Sequence, residues 1–385
     1  MGPSSDDVER AVHLMRGFAE QTGLRGEGPN RRYLWTDAFA LCNFRVLWQS
    51  TLDDAYRELA FELVERVHET LGRFREDDAR RGWISGLDET EGRMHPTRGG
   101  LRIGKPLPER EPGAMFDPEL EWERDGQYFH YLTKWMLALD QLSRATRDAR
   151  SNLWARELAE AAHRGFMAGS RSAPHLYWKM STDLSRPLVS SRGQHDALDG
   201  FVTAELLRDT AAALRSKERG PDLQEAVRDL SRMLEQGELA TTDPLGLGEL
   251  LCAAARTARL TRRRESEPRL LFRLLSAARE GLSEYEYLRP LAAPAHRRLA
   301  FRELGLAIGL AAIEVTRQEL EAWPGEARAR GLAALEDLER FVPLGATIRS
   351  FWLDLEHRKV TTWVEHRAII EVMLATSLMP DGYLS

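Results

Sequence analysis

Apolar residues recur at spacings of three and four along most of the chain, which is the pattern of amphipathic helices. Residue-by-residue alternation of apolar and polar positions, the pattern of strands, is almost absent. Several starts carry residues suited to a helix N-terminus, among them Asp53, Ser151 and Pro324. The pattern predicts an all-α chain of about twelve helices, over residues 6–22, 36–49, 53–77, 127–146, 151–169, 196–218, 221–236, 246–263, 267–280, 296–320, 324–340 and 361–378.

The connections between these predicted helices alternate in length. Only a few residues join the consecutive helices within 36–77, 127–169, 196–236, 246–280 and 296–340. Long connections precede every second helix, over 23–35, 78–126, 170–195, 237–245, 281–295 and 341–360. Loops of this length are uncommon in compact domains unless they serve a function. We therefore expect six helical pairs with the functional loops on one side.

The helices that follow the long connections are also the more apolar ones. Segments 38–48, 200–207, 247–255, 304–313 and 369–379 are rich in Ala, Gly, Cys and Leu. Their partners, such as 55–74 and 327–341, are amphipathic and highly charged. Small residues let helices approach closely, whereas a charged face suits solvent. The pattern predicts an inner and an outer layer of helices.

This alternation resembles the (α/α)6 toroid of the six-hairpin glycosidases and of the N-acylglucosamine 2-epimerase family. The resemblance lies in the architecture and covers nearly the whole chain. It implies a single domain over residues 1–385, with inner helices preceded by long loops, and an enzyme acting on carbohydrate. A solenoid of helical pairs is the alternative fold, but the chain shows no motif repeated at a fixed spacing.

The composition of the chain argues against several classes of function. The chain has 385 residues, of which 43% are hydrophobic, and a net charge of −6, whereas nucleic-acid binders are usually basic. Two cysteines cannot build a disulfide framework, and no apolar run reaches the length of about 18 residues that a membrane span needs. The first residues are acidic and lack an apolar signal core. These features favour a cytoplasmic protein with neither a nucleic-acid nor a membrane partner.

If the inner helices all follow long loops, their N-termini open onto one face with partly positive helix ends. Polar and aromatic side chains within a turn of those starts, or in the loops, are the candidates for a binding pocket. The predicted catalytic set is Asp125, His195, Asp196, Asp199, Glu365 and His366. The predicted substrate-binding set is Trp35, Asp37, Arg102, Trp122, Gln127, Tyr128, His130, Tyr177, Trp178, His296, Arg297 and Trp363.

Three segments carry most of these residues, and each can also be explained by a purely structural role. On a helix starting near Gly126, Gln127, His130 and Lys134 would share one stripe, although residues 120–135 are equally typical of a core-facing aromatic cluster. His195 and Asp199 stand four apart, as in an oriented acid–base pair, but acidic residues are also favoured at a helix start. The aromatic residues of loop 172–187 suit sugar stacking or simple packing.

Other motifs are weaker. Residues 99–105 spell GxxxxGK, but Pro106 stands where a P-loop has Ser or Thr, and no strand precedes it. HExxH, CxxC and GxSxG are absent from the sequence. A metal at His195 and Asp199 would need a further ligand from elsewhere, so we predict neither a metal nor a cofactor.

Three functions remain. Glycoside hydrolysis would use Asp125 on one side and Asp196, Asp199 or Glu365 on the other, since it needs two carboxyl groups across the scissile bond. Sugar epimerisation or isomerisation would use His130, His195, His296 or His366 as acid and base. The third is a helical binding protein without catalysis. The ligand expected is a small molecule or an oligosaccharide, and arginines such as Arg102 and Arg297 also suit an anionic one, such as a uronate or sugar phosphate. The oligomeric state is left open.

Overall fold

The computed structural model describes residues 3–26, 28–170, 173–214 and 220–385, which are almost entirely helical. Residues 215–218 of the predicted sixth helix, and positions 27, 171 and 172 of two predicted loops, lie outside the described residues. The helices are α1 (Ser5–Gln21), α2 (Leu34–Thr51), α3 (Asp54–Leu71), α4 (Glu89–Met94), α5 (Pro118–Glu123), α6 (Phe129–Thr146), α7 (Ala149–Phe166), α8 (Asp196–Leu214), α9 (Gln224–Gln236), α10 (Pro244–Arg264), α11 (Arg269–Leu288), α12 (Ala300–Glu321), α13 (Gly325–Glu339), α14 (Val342–Leu353), α15 (Thr361–Glu365), α16 (Arg367–Leu378) and α17 (Asp381–Leu384).

Four short strands form two antiparallel pairs in the described chain: β1 (Gln127–Tyr128), β2 (Met167–Ser170), β3 (Ala173–Leu176) and β4 (Lys179–Met180). β2 pairs with β3. β1 pairs with β4, with Gln127 opposite Met180 and Tyr128 opposite Lys179. The second pair joins two of the long connections, because β1 directly precedes α6 and β4 lies in the connection before α8.

The chain divides into two compact units. The first contains the chain up to Phe18 together with Glu238–Ser385, and the second contains Ala19–Gly237. A single domain over residues 1–385 stays a prediction.

In the second unit α2, α6 and α8 pack side by side, with α3 against α2, α7 against α6 and α9 against α8. α2 is buried on nearly all sides from Leu34 to Leu47, whereas α3 buries one face. The predicted division into apolar inner and charged outer helices is confirmed here. The predicted cap is also present, since the Asp53 side chain accepts a hydrogen bond from the Ala55 amide at 3.0 Å.

In the first unit α10 and α12 pack closely because glycines stand at their crossing. A Cβ atom added to Gly248 would lie 2.2 Å from the Gly305 carbonyl oxygen, and one added to Gly309 would lie 2.4 Å from the Cα of Gly248. No larger residue fits this distance without moving a backbone. The small residues of the predicted inner helices serve the close approach expected of them.

Several predicted boundaries are wrong. α3 ends at Leu71 rather than 77, because the Gly72 carbonyl accepts from the Ile84 amide and Arg73 bridges to Trp83, so the chain turns away into the loop. α7 ends at Phe166 rather than 169, where β2 begins, and α11 continues to Leu288. The connection 78–126 contains the short helices α4 and α5.

The last predicted long loop, 341–360, is also wrong, because it holds helix α14. Pro343 lies in the first turn of α14, where the missing amide hydrogen costs nothing. On this helix the side chains of Ile348 and Trp352 are buried. The predicted helix 361–378 is divided at His366, which leaves helical geometry with φ −111° and ψ 24°. The alternation of short and long connections therefore ends before the last pair.

None of the described helices combines the length and the apolar character needed to cross a bilayer.

Candidate functional site

Three aromatic side chains stack in the second unit, and we call Tyr128, His130 and Trp178 the aromatic wall. The rings of Tyr128 and Trp178 lie 4.8 Å apart, inclined by 25°. His130 lies 6.4 Å from Trp178 with the two planes inclined by only 4°. Trp122 packs its edge against Trp178 at 5.4 Å. The β1–β4 pairing produces this arrangement, because it holds Tyr128 beside the segment that carries Trp178.

The start of α2 extends the aromatic cluster. The Tyr33 and Tyr131 hydroxyls are hydrogen bonded at 2.6 Å, and Trp35 lies 6.4 Å from the Tyr131 ring. Burial raises the pKa of Tyr33 to about 12, so this hydroxyl stays neutral. The structure thus brings together five of the predicted binding residues, namely Trp35, Trp122, Tyr128, His130 and Trp178, with Tyr33 and Tyr131 between them.

An acid–base group lies at the first turn of α8, facing the first turns of α6. Lys134 Nζ donates to Asp199 Oδ2 at 3.0 Å, and His130 Nδ1 lies 4.0 Å from Asp196 Oδ1. Asp196 is almost fully buried, and its Oδ2 has no hydrogen-bond partner among the described residues. Burial, together with the negative charge of Asp199, raises the pKa of Asp196 to about 8. The raised pKa of Asp196 favours its protonated form near neutral pH, beside a carboxylate that is paired with a lysine.

Lys134 was not among the predicted site residues, although a signal for it was present. His130 and Lys134 are four residues apart on α6, and Asp196 and Asp199 are three apart on α8, so each pair shares a helix face. The expected third member of the stripe, Gln127, lies elsewhere. α6 begins at Phe129, so Gln127 is in β1 and its side chain follows a different direction.

The Gln127 side chain instead holds two long connections together through hydrogen bonds. Its Oε1 accepts from the Leu101 amide at 2.9 Å, while Nε2 donates to the carbonyls of Gly99 at 3.0 Å and Thr182 at 2.6 Å. The side chain is completely buried. All of these partners are backbone groups of loops, so this geometry favours a structural role.

Asp125 is likewise enclosed. Its Oδ2 accepts from Arg102 Nη1 at 2.5 Å, and its Oδ1 accepts from the amides of Gly104 at 3.0 Å and Gly126 at 3.1 Å. Arg102 donates further to the carbonyls of Arg73 and Thr70. A carboxylate and a guanidinium that are satisfied in this way hold loops together. This geometry does not favour the predicted catalytic role of Asp125 or the predicted ligand role of Arg102.

Asp37 is a third buried carboxyl group. It accepts from Arg32 Nη1 at 3.3 Å and from the Tyr33 amide at 3.0 Å, at the start of α2. Burial raises the pKa of Asp37 to about 6, although Arg32 opposes the shift. These contacts fix the backbone that carries Tyr33 and Trp35.

A cavity of about 550 Å³ lies beside the aromatic wall. Trp122, Tyr128, Tyr177 and Trp178, all predicted binding residues, line it together with Arg110, Phe116, Pro118, Glu121 and residues 187–191. His195 directly precedes α8, where its carbonyl accepts from the Asp199 amide at 2.9 Å. Most of the predicted site residues of the second unit therefore lie at the wall, at the acid–base group or at this cavity.

Five predicted site residues belong to the first unit. His296 and Arg297 are exposed on a short 3-10 turn, and Glu365 and His366 are exposed where α15 gives way to α16. Trp363 is buried and stacks on Trp352 at 5.7 Å. Across the described ranges of the chain, no three His, Cys, Asp or Glu side chains converge as metal ligands would.

No protein-family model matches the chain, and neither does any curated protein sequence. Solved structures do match. Cellobiose 2-epimerase from Spirochaeta thermophila is 14% identical with a TM-score of 0.51, and the match covers 96% of each chain. A family 76 glycoside hydrolase from a bovine Bacteroides thetaiotaomicron strain is 11% identical with a TM-score of 0.53, covering 99% of this chain and 77% of that one. D-mannose isomerase matches at 12% identity with a TM-score of 0.49, covering 88% and 86%. The likeness to the first two shows the fold, and the predicted (α/α)6 toroid is confirmed.

Proposed function

We propose that the protein is a glycoside hydrolase whose acid and carboxylate are Asp196 and Asp199. The observation that carries the proposal is the contrast between these two groups at the start of α8. Burial keeps a proton on Asp196, while Asp199 is ion-paired with Lys134 at 3.0 Å. Glycoside hydrolysis uses one carboxylic acid and one carboxylate, and two neighbouring carboxyl groups held in different protonation states can supply both.

The chemistry follows from those states. Asp196 gives its proton to the glycosidic oxygen as the bond from that oxygen to the anomeric carbon breaks. Asp199 supplies the negative charge near the anomeric carbon, either by taking a proton from the attacking water or by bonding the anomeric carbon before water replaces it. In both cases water adds across the bond, the hydroxyl goes to the anomeric carbon, and Asp196 is reprotonated.

The aromatic wall supports a sugar substrate. Tyr128 is buried beneath the wall, but the partly exposed rings of His130 and Trp178 match the apolar face of a pyranose ring, and His130 approaches Asp196 at 4.0 Å. Two solved structures that share the fold with a TM-score above 0.5 are a glycoside hydrolase and a cellobiose 2-epimerase. Both names support a carbohydrate-active enzyme.

The second candidate is a sugar epimerase or isomerase. The approach of His130 to Asp196 at 4.0 Å favours it, since an imidazole next to a proton-holding carboxyl group can move a proton at a carbon beside a carbonyl. In that case His130 would be the base and Asp196 its proton partner.

Proton NMR in heavy water with free sugars and glycosides separates the two. A new reducing end identifies hydrolysis, and the first anomer released reports retention or inversion. Exchange of a C2 proton with solvent identifies the epimerase or isomerase. We expect hydrolysis, with Asp196→Asn and Asp199→Asn each losing roughly 100-fold to 10,000-fold in rate, as general acids and bases commonly contribute.

Asp229→Asn is the matched control, because Asp229 also pairs with a histidine, His163, at 3.1 Å but lies on α9, outside the acid–base group. Full activity in both Asn variants at α8 would overturn the proposal. Loss in the control to the same extent would show a general effect on folding. If the wild-type protein changed none of the sugars or glycosides tested, the result would favour a helical binding protein without catalysis.

A further inference from the structure

The cavity beside the aromatic wall has no role in the chemistry above. We infer that it receives the leaving group of the substrate and that it selects glycosides whose leaving group is an aromatic or otherwise apolar alcohol rather than another sugar. This inference rests on the proposed function, because it assigns the cavity to the same substrate.

The first argument is the composition of the lining. Phe116, Pro118 and Trp122 come from the connection before α6, and Pro187, Leu188 and Val189 come from the connection before α8. Trp122 and Phe116 are each about half exposed, so they offer apolar surface to a ligand. The volume of about 550 Å³ lies within the range of small-molecule sites. Removal of an apolar ring from water would stabilise its binding there.

The second argument is the state of the charged side chains in the lining. Arg110 Nε donates to Glu121 Oε2 at 3.1 Å, and Arg110 Nη2 donates to the Leu188 carbonyl at 2.8 Å. Lys179 Nζ lies 3.1 Å from the other carboxylate oxygen of Glu121. These charges hold the two walls of the cavity to each other. A second sugar would need several directed polar partners, whereas the remaining polar groups of the lining are the hydroxyls of buried Tyr128, of Tyr177 and of the exposed Ser190 and Ser191, and the indole nitrogens of Trp122 and Trp178.

The third argument is continuity with the site. Tyr128 and Trp178 belong both to the cavity lining and to the aromatic wall that contains His130. A sugar ring at the wall, with its anomeric carbon near Asp196, thus has the next group of the glycoside at the cavity entrance. Trp122 is the side chain in the lining that contacts Trp178 edge-on, so it would cover an aromatic ring placed there.

Direct binding tests the inference without turnover. The probes are phenyl and methyl 1-thio-D-glucopyranosides in both anomeric forms, which differ only in the aglycone and whose sulfur link resists acid-catalysed cleavage, together with cellobiose. Isothermal titration and saturation-transfer NMR are run on the wild-type chain and on Trp122→Ala, Val189→Trp and Trp48→Ala. Val189→Trp fills the cavity, and Trp48→Ala is the control because Trp48 lies at the far end of α2, bonded to Asp54.

We expect the phenyl thioglycoside to bind at least about tenfold more tightly than the methyl one, with saturation strongest on the phenyl protons. Trp122→Ala and Val189→Trp should each remove that preference, whereas Trp48→Ala should keep it. Equal binding of phenyl and methyl forms, or no binding of either, overturns the inference. Tighter binding of cellobiose that depends on Trp122 also overturns it, in favour of a second sugar. Selective phenyl binding without any hydrolysis would support the cavity as a site for an aromatic group and would contradict the hydrolase, so the two failures are distinguishable.

Discussion

At the scale of single residues, the second unit contains four buried or partly buried carboxyl groups that differ in their contacts and therefore in their roles. Asp125 and Asp37 each accept hydrogen bonds from an arginine and from backbone amides, and so they fix loops. Asp199 pairs with the ammonium group of Lys134. Asp196 keeps one buried oxygen without a hydrogen-bond partner in the described chain, and burial raises its pKa to about 8. Chemistry is to be expected where a group is costly to bury and still poorly satisfied.

The raised pKa of Asp196 predicts a pH-dependent stability. Between about pH 4, where an unfolded aspartate ionises, and about pH 8, the unfolded chain releases a proton that folded Asp196 retains, so the native state loses stability as pH rises. Asp196→Asn removes this titration while keeping a neutral side chain of the same shape. The melting temperature of the variant relative to wild type should therefore rise steadily between pH 5 and pH 8, measured by thermal denaturation at several pH values. A constant difference would show that Asp196 is ionised in the folded protein.

Asp125→Asn should be strongly destabilising. The amide can still accept from the Gly104 and Gly126 amides, but Arg102 would be left buried without its counter-ion, which costs roughly 3 kcal/mol. Chemical denaturation measures the loss. Asp77→Asn is the control, because Asp77 pairs with Arg75 in the same region but is about half exposed, and exposed pairs contribute little. Unchanged stability of Asp125→Asn combined with lost activity would return Asp125 to the catalytic set.

At the scale of elements, the sequence predicted the helices whose periodicity is set by burial and missed features that depend on distant partners. α2, α6 and α8 were found because their apolar runs are long. The sequence did not predict the division at His366 or the end of α3 at Leu71. The end of α3 depends on partners elsewhere in the chain, since the Leu71 carbonyl accepts a hydrogen bond from the Arg102 amide. Asp196 and Asp199 were found because both stand at a helix start. Lys134 was passed over because its partner lies 65 residues away, and the enclosure of Asp125 depends on the fold of the long connection before it.

The crossing of α10 and α12 gives a prediction at this scale. Gly248→Ala places a methyl group 2.2 Å from the Gly305 carbonyl oxygen, so the helices must separate, at a cost of roughly 1–3 kcal/mol. Gly345→Ala on α14 is the matched control, because its added methyl group would meet its nearest neighbour at an ordinary 3.5 Å and alanine is the better helix former. Denaturation midpoints should fall for the first variant and hold or rise for the second. Equal stability of the two would refute close packing at the crossing.

At the scale of the whole molecule, the residues proposed for function are distributed unevenly. The aromatic wall, the acid–base group and the cavity all lie in the second unit, whereas the predicted residues His296, Arg297, Glu365 and His366 lie exposed in the first. The sequence pattern gave no reason to rank one set above the other, because it identifies helix starts without showing which side chains meet. The (α/α)6 architecture was recoverable from loop lengths together with the more apolar character of alternate helices, although the last predicted long connection is partly helical.

Gln127 has a consequence for how this protein can change over evolutionary time. One amide side chain binds backbone groups of both 99–101 and 182, so two segments far apart in sequence share a single fastening point. An insertion in either segment that shifts those carbonyl or amide groups would disturb the other one as well. The two loops are therefore expected to be inherited and exchanged as a set, and a graft that carries a new specificity into this scaffold should transfer both together with the residue that joins them.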